Sequence, residues 1–402
     1  MKQRNILLVI QPAYPERIQG IARFARAHGW HLTIVDRLAR FPRGWRGDGA
    51  LVTLRGNAET NQFVKGLVRD GIPVVDLTYN HPEIRLPRVS GDHMAFGRLA
   101  RQHFESLNFR HFAWFSSEWT HVHELRFQGY AQGTDPSGGN VPVKWIWSEI
   151  AQASKIDDWP LFVRTIGKKL GTVPKPFAVL TYDDADAARV LSAALEAGFK
   201  VPDEIAIMGI GNDRVICENQ AVPLSSVDHD LDLNGYEGAA LLNRLMSVRR
   251  NAQTPKRTNF QTFKHSNFQT FKRSNVQTLL IPPRGIVVRK STDTLATDDP
   301  TLTLALREIA KRLPTSFGVN EIAAATKVSR SRLDQLFAEK FSRSVGREIA
   351  RQRIEKAKKL LVETNSPMKE IAALCGFCNA GHFTNAFRKA TGVTPKSWRH
   401  PT

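Results

Sequence analysis

The sequence predicts an α/β domain followed by an all-α domain. From residue 5 to about residue 250, short apolar runs alternate with longer amphipathic stretches, a pattern typical of parallel strands joined by crossover helices. From Thr301 onward only helical periodicity is present. The 402 residues suffice for two or three domains of ordinary size, so each domain can bury a core of its own.

The elements of the first domain follow from these patterns. Apolar runs predict strands at residues 6–10, 50–53, 74–77, 112–115, 178–180 and 205–210, and apolar spacing of three and four residues predicts helices at 17–28, 61–70, 96–107 and 185–197. A parallel sheet places its ligand site beyond the carboxyl ends of its strands. The polar residues near those ends that we predict to bind a ligand are Tyr14, Arg17, Asp92, Arg126, Asp184, Asn212 and Asp213.

The second domain begins with a helix-turn-helix pattern. Ser329 is placed to cap a helix over residues 330–340, and that helix buries Leu333 and Phe337 on one face. The opposite face carries polar and charged residues. This arrangement favours a short packing helix followed by an exposed recognition helix.

The same pattern recurs later in the chain. Asn379 takes the capping position, and Phe383 and Phe387 lie about 50 residues after their counterparts in the first copy. An amphipathic helix over residues 349–362 connects the copies. A rigid connection suits two helix-turn-helix units that read successive major grooves about 34 Å apart.

Charge indicates the class of partner. The chain has 57 Lys and Arg against 38 Asp and Glu, a formal net charge of +19, which favours binding to a polyanion. The first apolar run spans only about five residues, and no window reaches the roughly 18 apolar residues of a membrane span. We therefore expect a soluble, cytoplasmic protein without a membrane partner.

Cysteine and histidine spacings do not complete a metal site. Cys375 and Cys378 are separated by two residues but lack a second ligand pair, so we interpret them as small apolar residues at a helix end and turn. His121 and His123, next to Glu124, would face different directions on a helix, which favours a loop. Three cysteines in the chain imply no disulfide framework, and no metal or cofactor is predicted.

One segment differs in composition from the rest. Residues 251–278 contain three copies of a unit with a period of eight, the first reading Asn-Phe-Gln-Thr-Phe-Lys, and we predict a flexible insert with an aggregation-prone pattern. The polar stretch 291–300 is the predicted linker. The predicted domains are therefore 1–290 and 301–402.

Residues 300–400 resemble the DNA-binding module of the AraC/XylS family of regulators. The resemblance is carried by Ile-Ala-Ala-Leu-Cys-Gly-Phe at 371–377, by His-Phe-Thr-Asn-Ala-Phe-Arg-Lys-Ala-Thr-Gly at 382–392 and by Thr-Pro-Lys-Ser-Trp-Arg at 394–399. It implies a double-stranded DNA operator with two half-sites. The residues that it places at DNA are Arg330, Ser331, Arg332, Asp334 and Gln335 in the first unit, and Ala380, Gly381, Thr384, Asn385 and Arg388 in the second.

The chemistry of these positions differs between the two units. Gln335 and Asn385 are suited to adenine edges and Asp334 to the amino group of cytosine, while arginines such as Arg388 are suited to phosphate. Ala380 and its neighbour Gly381 offer no side-chain hydrogen bond to a base. The second unit is therefore expected to read more by shape and backbone contact.

The first 290 residues resemble the two-lobed LacI-type and periplasmic sugar-binding fold. The matching segments are Ala13-Tyr14 with Arg17, Val89-Ser-Gly-Asp92, Arg126-Phe-Gln-Gly-Tyr130, Asp184, Gly209-Ile-Gly-Asn212 and Ser225-Ser-Val-Asp228. The resemblance implies that Arg126 and Asp184 grip sugar hydroxyls, since charged groups can each engage two of them. Trp114, Trp119 and Tyr14 either stack on the sugar or belong to the core.

A sensor of this type placed before an AraC-type module resembles the bacterial xylose operon regulators. The resemblance implies a sugar effector, D-xylose being the expected one. Gly211 departs from that family, which has an acidic residue there, so either Asp213 replaces it or the ligand differs.

The predicted function is thus a sugar-responsive, sequence-specific transcription regulator. We expect an activator of a sugar-utilisation operon that works as a homodimer, with RNA polymerase as a further partner. The alternatives are a regulator whose sensor binds another small molecule or a protein, and an enzyme that uses the α/β domain. The chain lacks GxSxG, GxxxxGK[ST], HExxH and a GxGxxG after a strand, so we predict that it is not an enzyme.

Overall fold

The structure is a computed structural model that describes residues 3–11, 14–35, 44–54, 58–133, 141–151, 157–251, 269–273 and 276–399. The chain divides into two compact units. The first comprises Met1–Ser106 and Arg110–Asp293, and the second comprises Leu107–Phe109 and Thr294–Thr402. The boundaries 1–290, 291–300 and 301–402 stay predictions, and the structure adds that Ser291 and Thr292, in the predicted linker, are fully buried.

The first unit contains two sheets, one in each lobe. The strands of the first lobe are β1 (Arg4–Val9), β2 (Trp30–Ile34), β3 (Gly49–Val52), β4 (Val74–Asp76), β5 (Arg88–Gly91), β11 (Gln269–Arg273) and β12 (Val276–Ile281). Their order in the described chain is β11-β12-β5-β4-β3-β1-β2, and only the β11–β12 pairing is antiparallel. Apolar side chains on both faces of this sheet form two core clusters. The helices of this lobe are α1 (Pro15–Ala27), α2 (Ala58–Arg69) and α9 (Leu231–Asn251).

The second lobe repeats the arrangement. Its strands are β6 (His111–Ser116), β7 (Val143–Ile146), β8 (Phe177–Thr181), β9 (Ile205–Ile210), β10 (Ser225–Asp228) and β13 (Gly285–Val287), in the order β13-β10-β9-β8-β6-β7 among the described residues. Its helices are α3 (His93–Ser106), α4 (His121–Ala131), α5 (Trp147–Ile150), α6 (Trp159–Gly171), α7 (Asp184–Glu196) and α8 (Arg214–Glu218), with a 3-10 helix at Lys290–Thr292. Every strand and helix predicted for the first domain falls on an observed element, which confirms the α/β prediction.

The chain passes between the lobes three times within the described residues. One passage follows β5, one joins β10 to α9 and one joins β12 to β13. Each passage begins at the end of a strand, where a ligand site is expected.

The prediction for the repeat segment was partly wrong. Its second and third copies do not form a loop, because Gln269–Arg273 and Val276–Ile281 pair as an antiparallel hairpin, and β12 also pairs in parallel with β5. The β-branched and aromatic residues of the repeat favour a strand, and β12 pairs with the edge of β5. Residues 252–268 and 274–275, which include the first copy, lie outside the described residues.

The second unit is helical, as predicted. Its helices are α10 (Pro300–Arg312), α11 (Val319–Thr326), α12 (Arg330–Phe341), α13 (Val345–Glu363), α14 (Met368–Leu374), α15 (Ala380–Thr391) and α16 (Pro395–Arg399). Helix α12 begins at the Ser329 cap, whose hydroxyl accepts from the Arg332 N–H at 3.2 Å, and α15 begins at the Asn379 cap, whose side chain accepts from the His382 N–H at 2.7 Å. Both predicted caps are confirmed.

The two helix-turn-helix copies are in register. Leu333 and Phe337 in α12 are fully buried, as are Phe383 and Phe387 in α15, and the sequence of buried and exposed positions is the same along 331–340 and 381–390. No helix among the described residues combines the length and apolar composition needed to cross a bilayer.

Candidate effector cavity and DNA-binding surface

A cavity of about 290 Å³ lies between the two lobes of the first unit. All three chain passages contribute to its wall: Ser90, Gly91 and His93 from the first, Asp228 and His229 from the second, and Arg284 from the third. The start of α1, helices α4 and α7 and the loop after β9 contribute further polar side chains to the wall of the cavity. They include Tyr14, Arg17, Arg126, Asp184, Asn212 and Asp213.

Arg126 on α4 is the cation held most firmly in this wall. It is only 4% exposed, its Nε donates to His93 Nδ1 at 3.2 Å and its Nη1 donates to the carbonyl of Tyr182. Its guanidinium also lies 4.5 Å from the centre of the Tyr182 ring. Burial and the adjacent Arg126 hold the pKa of His93 well below its ordinary value, so His93 is neutral and accepts this hydrogen bond.

Asp184 is the buried acceptor on the same wall. It occupies the first turn of α7 and is 3% exposed. One carboxylate oxygen accepts from Ser226 Oγ at 2.6 Å and the other from the Asp213 N–H at 2.7 Å. Burial raises its pKa to about 6, and burial with the nearby Asp183 raises that of Asp186 to about 7. A buried carboxylate with a raised pKa in a cavity wall is characteristic of functional sites.

The backbone conformation at Gly211 explains why this position departs from the expected family pattern, which has an acidic residue. Its φ is +144°, a conformation that side-chain-bearing residues rarely adopt, and a Cβ there would lie 3.0 Å from Asp184 Oδ2. Asp213 lines the cavity, but one of its oxygens caps α8 by accepting from the Ile216 N–H at 3.2 Å.

Arg17 and Asn212 are also tied into the wall. Arg17 Nε donates to Asn234 Oδ1 at 2.8 Å, which joins α1 to α9, and Asn234 in turn donates to the Val89 carbonyl at 2.9 Å. Asn212 donates to Asp228 Oδ2 at 3.3 Å and accepts from Arg289 at 2.9 Å. These bonds fix the orientation of the side chains before any ligand arrives.

The structure brings together six of the seven side chains predicted to bind a ligand. Asp92 is the exception: it is outside the lining, and its carboxylate caps α3 by accepting from the Ala95 N–H at 2.9 Å. Sequence reasoning missed several lining residues, of which some lie at the passages between the lobes and others follow a strand or lie on α9. They include Asn80, His93, Tyr182, Asp228, His229 and Asn234.

The aromatic and histidine candidates have structural roles. Trp114 is fully buried, and both it and Trp119 are outside the lining, whereas Tyr14 contributes to it. The loop predicted around His121 and His123 was wrong: both residues lie in the first turn of α4, where His123 completes a capping box with Thr120. A helix forms because this side chain accepts the otherwise unpaired Thr120 N–H at 3.2 Å. The described residues contain no group of three metal-ligating side chains.

The exposed side of α12 carries four of the five residues of the first unit that were predicted to lie at DNA. Arg330, Ser331, Arg332 and Gln335 are exposed, and Gln335 hydrogen bonds to Arg332 and Glu339 along the helix. Asp334 is half-buried, and its carboxylate accepts from the Val345 N–H at 3.1 Å. That bond ties α12 to the start of α13.

The surface of α15 is simpler and more basic. Gly381, Asn385 and Arg388 are exposed, while Ala380 and Thr384 are half-buried, and the Thr384 hydroxyl donates back to the Ala380 carbonyl at 2.8 Å. No acidic residue follows Glu370 in the sequence. The second helix-turn-helix unit therefore presents positive charge without a competing carboxylate on α15.

Comparison with known proteins identifies both parts. A periplasmic binding protein-like domain model matches residues 101–263, and a helix-turn-helix domain model matches residues 322–400. The xylose operon regulatory protein of Escherichia coli is 23% identical over 419 aligned positions, covering 98% of this chain and 96% of that protein. The Haemophilus influenzae protein of the same name is 28% identical over 230 positions, covering 57% of this chain and 54% of that protein.

A solved structure of a xylose-binding transcription activator, xylR, has the same fold. It superposes with a TM-score of 0.62 at 22% identity and covers 99% of this chain and 98% of that chain. The resemblance predicted from the sequence is thereby confirmed at the level of sequence, domain content and fold. The chain therefore combines a region similar to periplasmic binding protein-like domains with a following region similar to helix-turn-helix domains, and over its full length it is similar to the xylose operon regulatory protein of Escherichia coli.

Proposed function

We propose that the chain is a sugar-responsive, sequence-specific DNA-binding regulator whose cavity binds a pentose, with D-xylose as the first candidate. The observation that carries the proposal is the cavity between the lobes, where buried cationic donors face the same space as one buried and one half-buried carboxylate acceptor. Arg17 and Arg126 supply the donors, and Asp184 and Asp228 supply the acceptors. The full-length relatives named for xylose support the choice of sugar.

The wall chemistry suits a small polyol. A hydroxyl both donates and accepts, so a site that pairs guanidinium with carboxylate can satisfy each hydroxyl twice. The side chains are held by hydrogen bonds to one another, as Arg126 is to His93, so little ordering is needed on binding. The cavity of about 290 Å³ is at the small end of ligand sites, which favours a monosaccharide over a larger ligand.

Gating follows from the position of the site. A sugar that contacts both lobes stabilises the conformation in which those contacts exist together, and it shifts the equilibrium by its difference in affinity for the two conformations. We propose that this shift alters the DNA-binding unit of a homodimer, so that the operator with two half-sites is bound and transcription is activated through contact with RNA polymerase. On this proposal the chain binds its sugar without transforming it.

At DNA, we propose different roles for the two recognition helices. Gln335 on α12 and Asn385 on α15 are exposed amides suited to adenine edges. Arg330, Arg332 and Arg388 would contact phosphate, which positions the unit without specifying sequence. The half-buried Asp334 already accepts a backbone hydrogen bond, so Gln335 is the stronger candidate for specificity in the first unit.

Gly211 favours one second candidate, a sensor for a different polyol. Asp184 Oδ2 lies 3.0 Å from where a Cβ on Gly211 would be, so the absence of a side chain leaves this carboxylate oxygen uncovered on that side. A sugar with a differently oriented hydroxyl, or with one more carbon, would gain an acceptor at that position.

Calorimetric titration of the purified chain tests the proposal. D-Xylose, L-arabinose, D-ribose and D-glucose are titrated into the wild type and into Arg126→Met, with Arg164→Met as the matched control because Arg164 is exposed on α6 and outside the lining. We expect one sugar to bind to the wild type and the control, and Arg126→Met to lose that binding. Binding of none of the sugars, or equal binding to Arg126→Met, would contradict the proposal.

A further inference from the structure

The two helix-turn-helix units contact each other through backbone as well as through α13. The contact is made by Gly376, in the turn between α14 and α15, whose φ is +72°. A Cβ added there would lie 2.5 Å from the Thr315 carbonyl oxygen and 2.8 Å from that of Leu313. Both carbonyls belong to the loop between α10 and α11, so the turn of the second unit rests directly on the loop that precedes the first.

Arg353, near the middle of α13, spans the same contact. Its Nη2 donates to the Phe317 carbonyl at 3.1 Å and reaches the Thr315 carbonyl at 3.5 Å. The guanidinium carbon lies 4.9 Å from the centre of the Phe317 ring and 6.0 Å from that of Phe377. One side chain therefore touches the loop before the first unit and the turn of the second.

The Nε donor of Arg353 shows how closely the turn at Gly376 approaches this side chain. Arg353 Nε is buried without a hydrogen-bond partner among the described residues, and it lies 3.1 Å from the position of a Cβ on Gly376. A buried donor without a partner costs free energy. In return, Nη2 donates to the Phe317 and Thr315 carbonyls, and methionine would leave both carbonyls without this donor. What arginine adds is a planar group that donates to one unit and stacks between aromatic rings of both.

We propose that Arg353 and Gly376 form a clasp that sets the distance and rotation between α12 and α15 of one chain, and with them the number of base pairs between the two DNA segments that these helices read. The inference rests on the proposed function, in which both helices read DNA. One base pair moves a segment by about 3.4 Å and rotates it by about 34° around the duplex. Arg353 is thus a positioning residue: it acts through the recognition helices and need not touch DNA itself.

The test uses the full-length chain and the duplex that the wild type selects from a random-sequence pool. Affinity is measured for that duplex and for versions with one base pair inserted or removed between the two segments that α12 and α15 of one chain read. We expect the wild type to lose at least about tenfold in affinity for either shifted duplex. For Arg353→Met the difference should narrow to within about threefold, because the second unit can then adjust.

Two further variants separate positioning from simple loss of structure. Gly376→Ala inserts a methyl group against the Thr315 carbonyl and should broaden the preferred spacing in the same way, while Arg353→Lys, which keeps a donor but not the planar fork, should fall between Arg353→Met and the wild type. Arg347→Met is the matched control, since Arg347 is exposed on the same helix, and it should keep the wild-type spacing preference.

An unchanged spacing preference in Arg353→Met and Gly376→Ala would overturn the inference. Parallel loss of affinity for all spacings, with a lowered melting temperature, would likewise overturn it by assigning Arg353 a purely structural role. A wild-type chain that selects no two-part sequence would overturn the proposed function itself, and the inference with it.

Discussion

The substitution Asp184→Asn should stabilise the folded chain at pH 8 and destabilise it at pH 4. A carboxyl whose pKa is higher in the folded than in the unfolded chain binds its proton more tightly when folded, so its contribution to stability is fully present below pH 4 and is lost as the pH rises through about 6. The pKa rises by about two units from 3.8 to about 6, and each unit corresponds to about 1.4 kcal/mol, so ionised Asp184 costs about 3 kcal/mol at pH 8.

Asparagine removes the charge but keeps most of the hydrogen bonding. Its oxygen can accept from the Asp213 N–H and its amide can donate to Ser226 Oγ, which leaves the serine hydroxyl proton unpaired at a cost of about 1 kcal/mol. We therefore expect the free energy of unfolding to rise by about 2 kcal/mol at pH 8 and to fall by about 1 kcal/mol at pH 4.

Urea denaturation followed by circular dichroism over pH 4 to 8 measures this difference. Asp158→Asn, at an exposed helix cap, is the control and should show no inversion. A stability difference for Asp184→Asn that is the same at every pH would refute the reasoning. Loss of sugar binding together with a gain in stability at pH 8 would indicate that the wild type retains a destabilising carboxylate for its function.

Three other variants follow from the same structure. Replacing Arg126 by Met should weaken sugar binding by about 2 kcal/mol, roughly 30-fold, because a charged donor is lost, and calorimetry measures it. Gln335→Ala should cost about 1–3 kcal/mol on the preferred duplex and much less on a duplex changed at the contacted base, as measured by competition binding. Arg388→Ala should reduce affinity for all duplexes alike and lower the slope of log affinity against log salt concentration by about one. If Gln335→Ala lost the same affinity on both duplexes, the base-reading role of Gln335 would be contradicted. If the affinity lost by Arg388→Ala did not depend on salt, the phosphate role of Arg388 would be contradicted.

The elements that the sequence predicted share one property, which is that their burial appears in the sequence as a continuous apolar run or as a regular apolar spacing. Strands such as β9 (Ile205–Ile210) are buried at every position and were predicted with their observed bounds. Strands β5 (Arg88–Gly91) and β10 (Ser225–Asp228) were not predicted as strands, because their buried positions include Arg88 and Ser225. Those side chains are buried because they are hydrogen bonded, as Arg88 is to Asp76 at 2.8 Å. The spacing of apolar residues in the sequence does not reveal such hydrogen-bond partners.

Local sequence patterns likewise predicted only part of the lining of the candidate site. Residues directly after strands, such as Arg17 and Asp184, could be predicted because the carboxyl ends of parallel strands meet at one edge. His93, His229 and Arg284 line the cavity because the chain crosses between lobes next to them, and a crossing depends on which strand joins which sheet. That information is in the pairing of distant strands, which local patterns do not contain.

The DNA-binding unit was easier to predict, since it repeats its own pattern. The two copies are not identical: Ile322 and Ile371 are 49 residues apart, but Leu333 and Phe383 are 50 apart, so the second unit has one more residue between these buried positions. Its turn between the helices is also longer, residues 375–379 against 327–329. The structure places Gly376 in that longer turn.

The binding of one labelled duplex with and without sugar tests the central claim most directly. Fluorescence anisotropy is recorded at one salt concentration, with the wild-type chain and a saturating amount of the sugar that calorimetry has identified. The proposed gating predicts a change in DNA affinity of at least about tenfold, a coupling of about 1.4 kcal/mol, and a smaller change in Arg126→Met at a sugar concentration that saturates the wild type but not this variant. Equal affinity of the wild type for DNA with the cavity empty and with it occupied would contradict the claim.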